Sequence, residues 1–212
     1  MARVRKITRS PVSGKNYYVV DASFLANWAI PSNNAPVGSN RDRIDRCMEW
    51  WTEIEAQLKA GKARVFVPDI CIAETFKVLA KKYYVERWFQ TPVALNNARN
   101  RLRKFISTSN ATLKGAKRNI RFHDVSTTRD IIISVDRFYE LFHKHNLDRV
   151  SVPDLILVAT AKYLVDFFDV PRSQLHLVTL DKELRSGSKK IQELPNAYDP
   201  TDAADSALKI FL

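Results

Sequence analysis

Asp21, Glu74, Asp154 and Asp181 stand where an apolar segment ends or a helix begins, far apart along the chain. Asp21 closes the run Tyr17-Tyr18-Val19-Val20, and Asp181 follows Leu175-His176-Leu177-Val178-Thr179-Leu180. Glu74 lies in the first turns of a helix opened by Val67-Pro68-Asp69, and Asp154 in another opened by Val152-Pro153. A carboxylate at the mouth of a buried strand costs desolvation free energy unless something pairs with it. Gathered at one edge of a sheet, such acids make an oxygen-rich cage for a hard divalent cation. Each also has a simpler reading. Asp21 can N-cap the helix that starts near Ala22. Asp154 nearly completes a capping box with Ser151. Asp181 can open a turn, and Glu74 can be a solvated helix residue.

The elements that must position these acids follow from periodicity and punctuation. Apolar runs predict strands at 17–20, 64–67, 120–125 and 175–180, with a last strand near 191–194. Helices are predicted over 22–30, 41–60, 69 to about 89, 91 to about 107, 128–145, 152–168 and from 182 onward. Residues 31–40 (PSNNAPVGSN) are a loop by composition. Strands alternating with helices predict an α/β fold, three layers (α/β/α) around a central parallel sheet. In such sheets functional groups collect at the carboxyl ends of the strands. VPDICIAETFK at 67–77 echoes VPDLILVATAK at 152–162. That echo reads as one helix-start device used twice, with Pro early in the helix and Asp complementing its dipole.

The formal net charge of +11 is concentrated. Residues 1–20 hold five Lys/Arg and no acid; residues 99–121 hold eight, again with no acid. Elsewhere 21 basic residues face 23 acidic ones, so the surplus lives in two stretches. Arg99, Arg101, Arg103, Lys104, Lys114, Lys117, Arg118 and Arg121 therefore read as a nucleic-acid-binding patch. A solvated helix face is the plainer explanation. Residues 1–15 read as a flexible basic arm. Tyr83, Tyr84, Trp88 and Phe89, just upstream of the patch, could stack bases of a single strand, or simply pack into the core.

Other chemistries find no foothold. His123, His143, His145 and His176 lack zinc-ligand spacing with each other or with Cys47 and Cys71. The two cysteines share no CxxC spacing and read as reduced thiols. No G-x-S-x-G occurs, and five scattered glycines build no phosphate-cradling loop. An aspartyl phosphatase wants a second acid two positions after the first, where Ser23 stands. A phosphoacceptor domain wants an acidic pair at the first strand's end, which is absent. The longest strongly apolar segment, Leu155 to Ala161, is far short of the roughly 20 residues of a membrane span. No apolar signal segment follows the basic N-terminus, so a soluble cytoplasmic protein is expected.

VVDASFL (19–25), VPDICIAETF (67–76), VPDLILVATAKYL (152–164) and LVTLDKEL (177–184) together resemble the PIN-domain family of nucleases. That family includes the toxin components of many toxin–antitoxin pairs. The resemblance spans about residues 16–195, and the last two motifs are its most specific part. It implies one PIN-like nuclease domain over 16–198, with a basic helical insertion after the second strand (about 90–121) and a C-terminal tail, 199–212. It places the family's metal-binding, catalytic acids on Asp21, Glu74, Asp154 and Asp181, and supporting hydroxyls on Ser23 and Thr179. The implied activity is endoribonucleolytic hydrolysis of RNA, dependent on Mg²⁺ or Mn²⁺. The implied partners are RNA, an antitoxin protein and a second copy in a homodimer. The competing expectation is a catalytically inactive RNA-binding module that keeps the fold.

Overall fold

The structure is a computed structural model of the chain, and it describes residues 14–106 and 123–206. The chain order is β1 (Asn16–Val20), α1 (Ala22–Ala29), α2 (Ser39–Lys59), β2 (Ala63–Pro68), α3 (Asp69–Tyr84), α4 (Pro92–Ile106), β3 (His123–Val125), α5 (Arg129–Lys144), α6 (Val152–Phe168), β4 (Leu175–Val178), α7 (Lys182–Lys190), β5 (Asn196–Tyr198) and α8 (Ala203–Ser206). The strands form one parallel sheet in the order β3-β2-β1-β4-β5. Parallel neighbours require long crossovers, and the helices supply them. The expected three-layer α/β architecture is present, with α4 as the helical insertion after the second strand.

Alternation along the strands divides the interior in two. Tyr18, Val20, Val65, Val67 and Val178 face a core built with Phe24, Trp28, Trp51, Leu95 and Leu102 of α1, α2 and α4. Val19, Phe66, Leu175, Leu177 and Ala197 face the other, built with Phe138 and Phe142 of α5, Leu157 and Val158 of α6 and Leu184 of α7. Helix α3 gives Leu79 to the first core and Cys71 to the second, so it lies along the seam between them. Both cysteines are buried free thiols. No helix among the described residues is long and apolar enough to cross a membrane.

The sheet order fixes where a site can form. From β1 the chain first adds strands on one side (β2, β3), then on the other (β4, β5). The crevice at the carboxyl ends of β1 and β4 is therefore the topological switch point, where open α/β sheets bind ligands.

Two expectations shift, besides the strand expected over 175–180, which ends at Val178. The last strand is Asn196–Tyr198, not 191–194. Ile191 and Leu194 are buried in a turn closed by the Leu194 N–H on the Ile191 carbonyl, 3.0 Å. Helix α3 ends at Tyr84, not near Phe89, because Arg87 takes φ 58° and the Trp88 N–H donates back to the Lys82 carbonyl, 2.8 Å. That is a left-handed helix stop made without glycine. The tail begins tied to the body: Asp199 pairs with Arg185 at 2.9 Å, and Arg46 donates to the Thr201 carbonyl at 2.6 Å. Residues 207–212 of the tail, and 1–13 of the basic arm, lie outside the described residues.

Candidate functional site

Asp21 is the first residue beyond β1. Its N–H donates to the Val178 carbonyl of β4 at 3.0 Å, which fixes it at the switch point. It N-caps α1, accepting from the Ser23 N–H at 3.3 Å. Its Oδ2 accepts from the Ser23 hydroxyl and, at 2.7 Å, from the Thr179 hydroxyl. Only 6% of Asp21 is exposed, and no basic side chain among the described residues pairs with it. Burial pushes its carboxyl above the usual range; the Ser23 and Thr179 bonds pull it back, and the charge of Asp181 pushes it up again. A buried carboxylate held only by neutral donors, with no basic partner among the described residues, carries an uncompensated desolvation cost.

Thr179 is fully buried and works in two directions. It donates to Asp21 and accepts the Asp181 N–H at 2.9 Å. Asp181 in turn N-caps α7, accepting from the Leu184 N–H at 2.8 Å. Asp154 completes the capping box of α6: its Oδ2 accepts from the Ser151 N–H at 3.0 Å and from the Ser151 hydroxyl. Partial burial raises its carboxyl, opposed by the Ser151 bonds and reinforced by Asp21 and Asp181. Glu74, half-buried on α3, is raised by burial, then by Asp154 and Asp21, while Lys77 pulls it down. Beneath them the Cys71 thiol is pushed well up by burial and by the charges of Asp21, Glu74 and Asp154.

The fold thus brings four acids, distant in sequence, into one electrostatic neighbourhood. Their side chains do not converge on a single point: no three His, Cys, Asp or Glu side chains among the described residues are grouped so as to hold one ion. The reason is physical. Carboxylates without a counter-charge repel, and each aspartate turns to the nearest local donor, a helix N–H or a hydroxyl. The simple roles of Asp21 and Asp154 as helix caps are realised, and Asp181, read as opening a turn, caps α7.

Two nearby residues were not singled out by sequence reasoning. Thr75, fully buried, places its hydroxyl 2.6 Å from the Cys71 carbonyl and 3.3 Å from the Ala22 carbonyl, tying α3 to α1 beneath Asp21. The echo between 67–77 and 152–162 carried the signal. Its partner position, Thr160, makes the same bond to Ile156, 2.7 Å. Lys77 is the cation that acts on Glu74.

The basic patch is only partly within the described residues. Arg99, Arg101, Arg103 and Lys104 lie on α4, whereas Lys114, Lys117, Arg118 and Arg121 fall outside them. The Arg101 guanidinium lies 4.7 Å from the centre of the Trp28 ring, and that of Arg103 5.7 Å from Phe76, which is two residues from Glu74. The end of α4 therefore lies beside the acid-bearing half of α3. Of the four aromatics, Trp88 and Phe89 are buried at 5% and 2%, where no base can reach them. Tyr84 is 62% exposed, so of the two readings core packing does not hold for it.

No family model matches the chain, and no curated protein matches it. Among solved structures it resembles the crystal structure of VapBC2 from Rickettsia felis bound to a DNA fragment from their promoter. The TM-score is 0.50 and the identity 12%, over 86% of this chain and 98% of that one. At that identity the likeness speaks for a shared PIN-like fold.

Proposed function

We propose that this chain is a divalent-metal-dependent endoribonuclease, with Mg²⁺ or Mn²⁺ held by Asp21, Glu74, Asp154 and Asp181. One observation carries the reading: a carboxylate buried at the switch point with no cationic partner among the described residues, and three more acids within electrostatic reach. The donor set fits the group. Its ligands are all carboxylate oxygens, as hard cations prefer, and a cation would relieve the repulsion that lifts three of these acids. Bound there, such an ion supplies Lewis-acid polarisation of a phosphodiester and water of lowered pKa.

The chain's own residues supply the rest. Thr179 and Ser23 fix the orientation of Asp21, and Thr179 couples it to the backbone of Asp181. Asp154 caps α6 through Oδ2 and Asp181 caps α7 through Oδ1, so the second oxygen of each would be the one to hold a cation while the caps stay closed. The basic residues of α4 would hold the phosphate backbone near Glu74. The likeness to a VapBC complex supports an antitoxin protein as a partner. Ile132, Ile133, Phe167 and Phe168, each more than half exposed on α5 and α6, offer apolar contacts for it or for a second copy.

One observation favours a second reading, an inactive RNA-binding module: the aspartates are satisfied as caps and no three acids are grouped. Incubating single-stranded and structured RNA with Mn²⁺ or Mg²⁺, with and without chelator, separates the two. Chelator-sensitive cleavage lost in Asp21→Asn supports the nuclease. Equal cleavage by both proteins ends the assignment, and salt-sensitive binding without cleavage selects the module.

A further inference from the structure

One face of α3 is not explained by packing. At 3.6 residues per turn, Glu74, Lys77, Lys81 and Tyr84 fall on a single stripe, rising about 15 Å from acid to ring. The opposite face carries Cys71, Thr75 and Leu79, all buried. The stripe faces solvent: Lys77 is exposed, the Lys81 side chain is 65% exposed and Tyr84 62%.

Glu74 feels the charge of Lys77 three residues on, but the positive charge of the stripe is only partly compensated. Lys77 and Lys81 are like charges four apart, an arrangement that weakens an isolated helix. Lys77 forms no ion pair among the described residues, and Lys81 has only a 3.8 Å contact with Glu86. Glu86 is already held by Lys82 at 2.6 Å, and the Lys82 ammonium also sits 3.4 Å from the centre of the Trp88 ring. Lys82 is what a structural lysine looks like here, and Lys77 and Lys81 are unlike it. Tyr84 presents its ring to water but is held from behind, edge-on to Tyr83 with centroids 4.8 Å apart at 74°. Tyr83 packs against the first core. A large ring fixed at low entropic cost and left exposed is the form of a stacking platform.

We propose that this stripe is the track along which single-stranded RNA leaves the acid edge. Lys77 and Lys81 contact successive phosphates, and Tyr84 stacks a base at the far end. The inference rests on the nuclease reading for the direction of the strand, and the surface takes a single strand, because a duplex offers no free base face to Tyr84. The charge is complementary to a phosphate backbone, and stacking tolerates any base, so the track is indifferent to sequence.

The test uses the full chain carrying Asp21→Asn to prevent turnover, and fluorescence anisotropy with a labelled single-stranded RNA, the matching single-stranded DNA and an RNA duplex. In that background Tyr84→Ala weakens single-stranded RNA binding by about 5- to 150-fold, while Tyr84→Phe, which keeps the ring, restores it. Lys77→Ala and Lys81→Ala each reduce the slope of log affinity against log salt by about 0.7. Duplex binding changes little with Tyr84→Ala. Thermal melting checks that these exposed substitutions leave the fold intact. Unchanged affinity and slope in all three alanine variants overturn the track. So does an equal loss for duplex and single strand in Tyr84→Ala, or tighter binding of single-stranded DNA than of RNA. Cleavage by the chain with native Asp21 is measured separately. Absent cleavage with a Tyr84-dependent affinity removes the nuclease reading and keeps the track, whereas cleavage with KM unmoved in Tyr84→Ala does the reverse.

Discussion

Replacing Thr179 with Val tests whether the edge is built around an ionised Asp21. The swap keeps the shape of a fully buried side chain and removes one hydroxyl. Two bonds go with it: the 2.7 Å donation to Asp21 Oδ2 and the 2.9 Å acceptance of the Asp181 N–H. A hydrogen bond to a charged acceptor contributes about 1.5–3 kcal/mol, and an orphaned buried donor costs about 1–3. Asp181 is partly exposed, so water recovers part of the second amount. The expected loss is about 2–4 kcal/mol, a fall in Tm of about 5–15 °C for a chain of this size. The pH dependence has a definite sign. The Thr179 bond pulls the Asp21 carboxyl down, so the gap between native chain and variant is widest where Asp21 is ionised and narrows as pH falls through its titration. The assay is urea and thermal unfolding followed by tryptophan fluorescence at pH 8 and pH 4. Thr179→Ser is the control, and Asp21→Asn serves for a double-mutant cycle. Thr179→Ser costs only about 1 kcal/mol for its methyl group. The two sites couple by about 1 kcal/mol or more. A Thr179→Val variant within about 0.5 kcal/mol of the native chain, or strict additivity with Asp21→Asn, would refute the reasoning.

Affinity for Mn²⁺ strengthens as pH rises, because burial and mutual repulsion lift the carboxyls of Asp21, Glu74 and Asp154, and protons then compete with the cation. Calorimetric titration in two buffers of different ionisation enthalpy detects the released protons, and pH-independent affinity contradicts the assignment. Saturation with Mn²⁺ at about 100 times its Kd raises stability by about 2.7 kcal/mol, or roughly 5–10 °C in Tm. Asp21→Asn abolishes that rise, and an undiminished rise places the ion elsewhere. At Gly187 a Cβ would lie 2.4 Å from Cε1 and Cζ of the Phe142 ring. Alanine normally gains about 1 kcal/mol over glycine in a helix, but overpacking costs about 1–3, so Gly187→Ala lowers stability in urea unfolding; a gain would show that the α5–α7 contact is loose.

The sheet was legible because its central strands are short apolar runs with few other fates. Tyr17 to Val20 lie in a strand as read, and Leu175–Val178 form the strand within the 175–180 expected; the carboxyl-edge rule then placed Asp21 and Asp181 together. The errors came from apolar residues used outside regular elements. Ile191 and Leu194 bury a turn, so their spacing imitated a strand, and the true β5 carries the less apolar Asn196-Ala197-Tyr198. Trp88 and Phe89 continue the helical aromatic pattern of α3, yet the chain reverses at Arg87, whose positive φ has no glycine to advertise it. In the site, residue identity indicated acids that share one electrostatic neighbourhood but not where their oxygens point. Rotamers follow local donors, Ser151 for Asp154 and the α7 N-terminus for Asp181. The stripe on α3 was hidden because Lys77 and Lys81 look like ordinary helix lysines until the burial of the opposite face is known.

A crystal of the chain soaked in Mn²⁺ and measured for anomalous scattering bears most directly on the four acids. An anomalous peak about 2.0–2.6 Å from an Asp21 carboxylate oxygen is expected, with Glu74 and the non-capping oxygens of Asp154 and Asp181 drawn toward the same ion. Density without such a peak at saturating Mn²⁺ would contradict it.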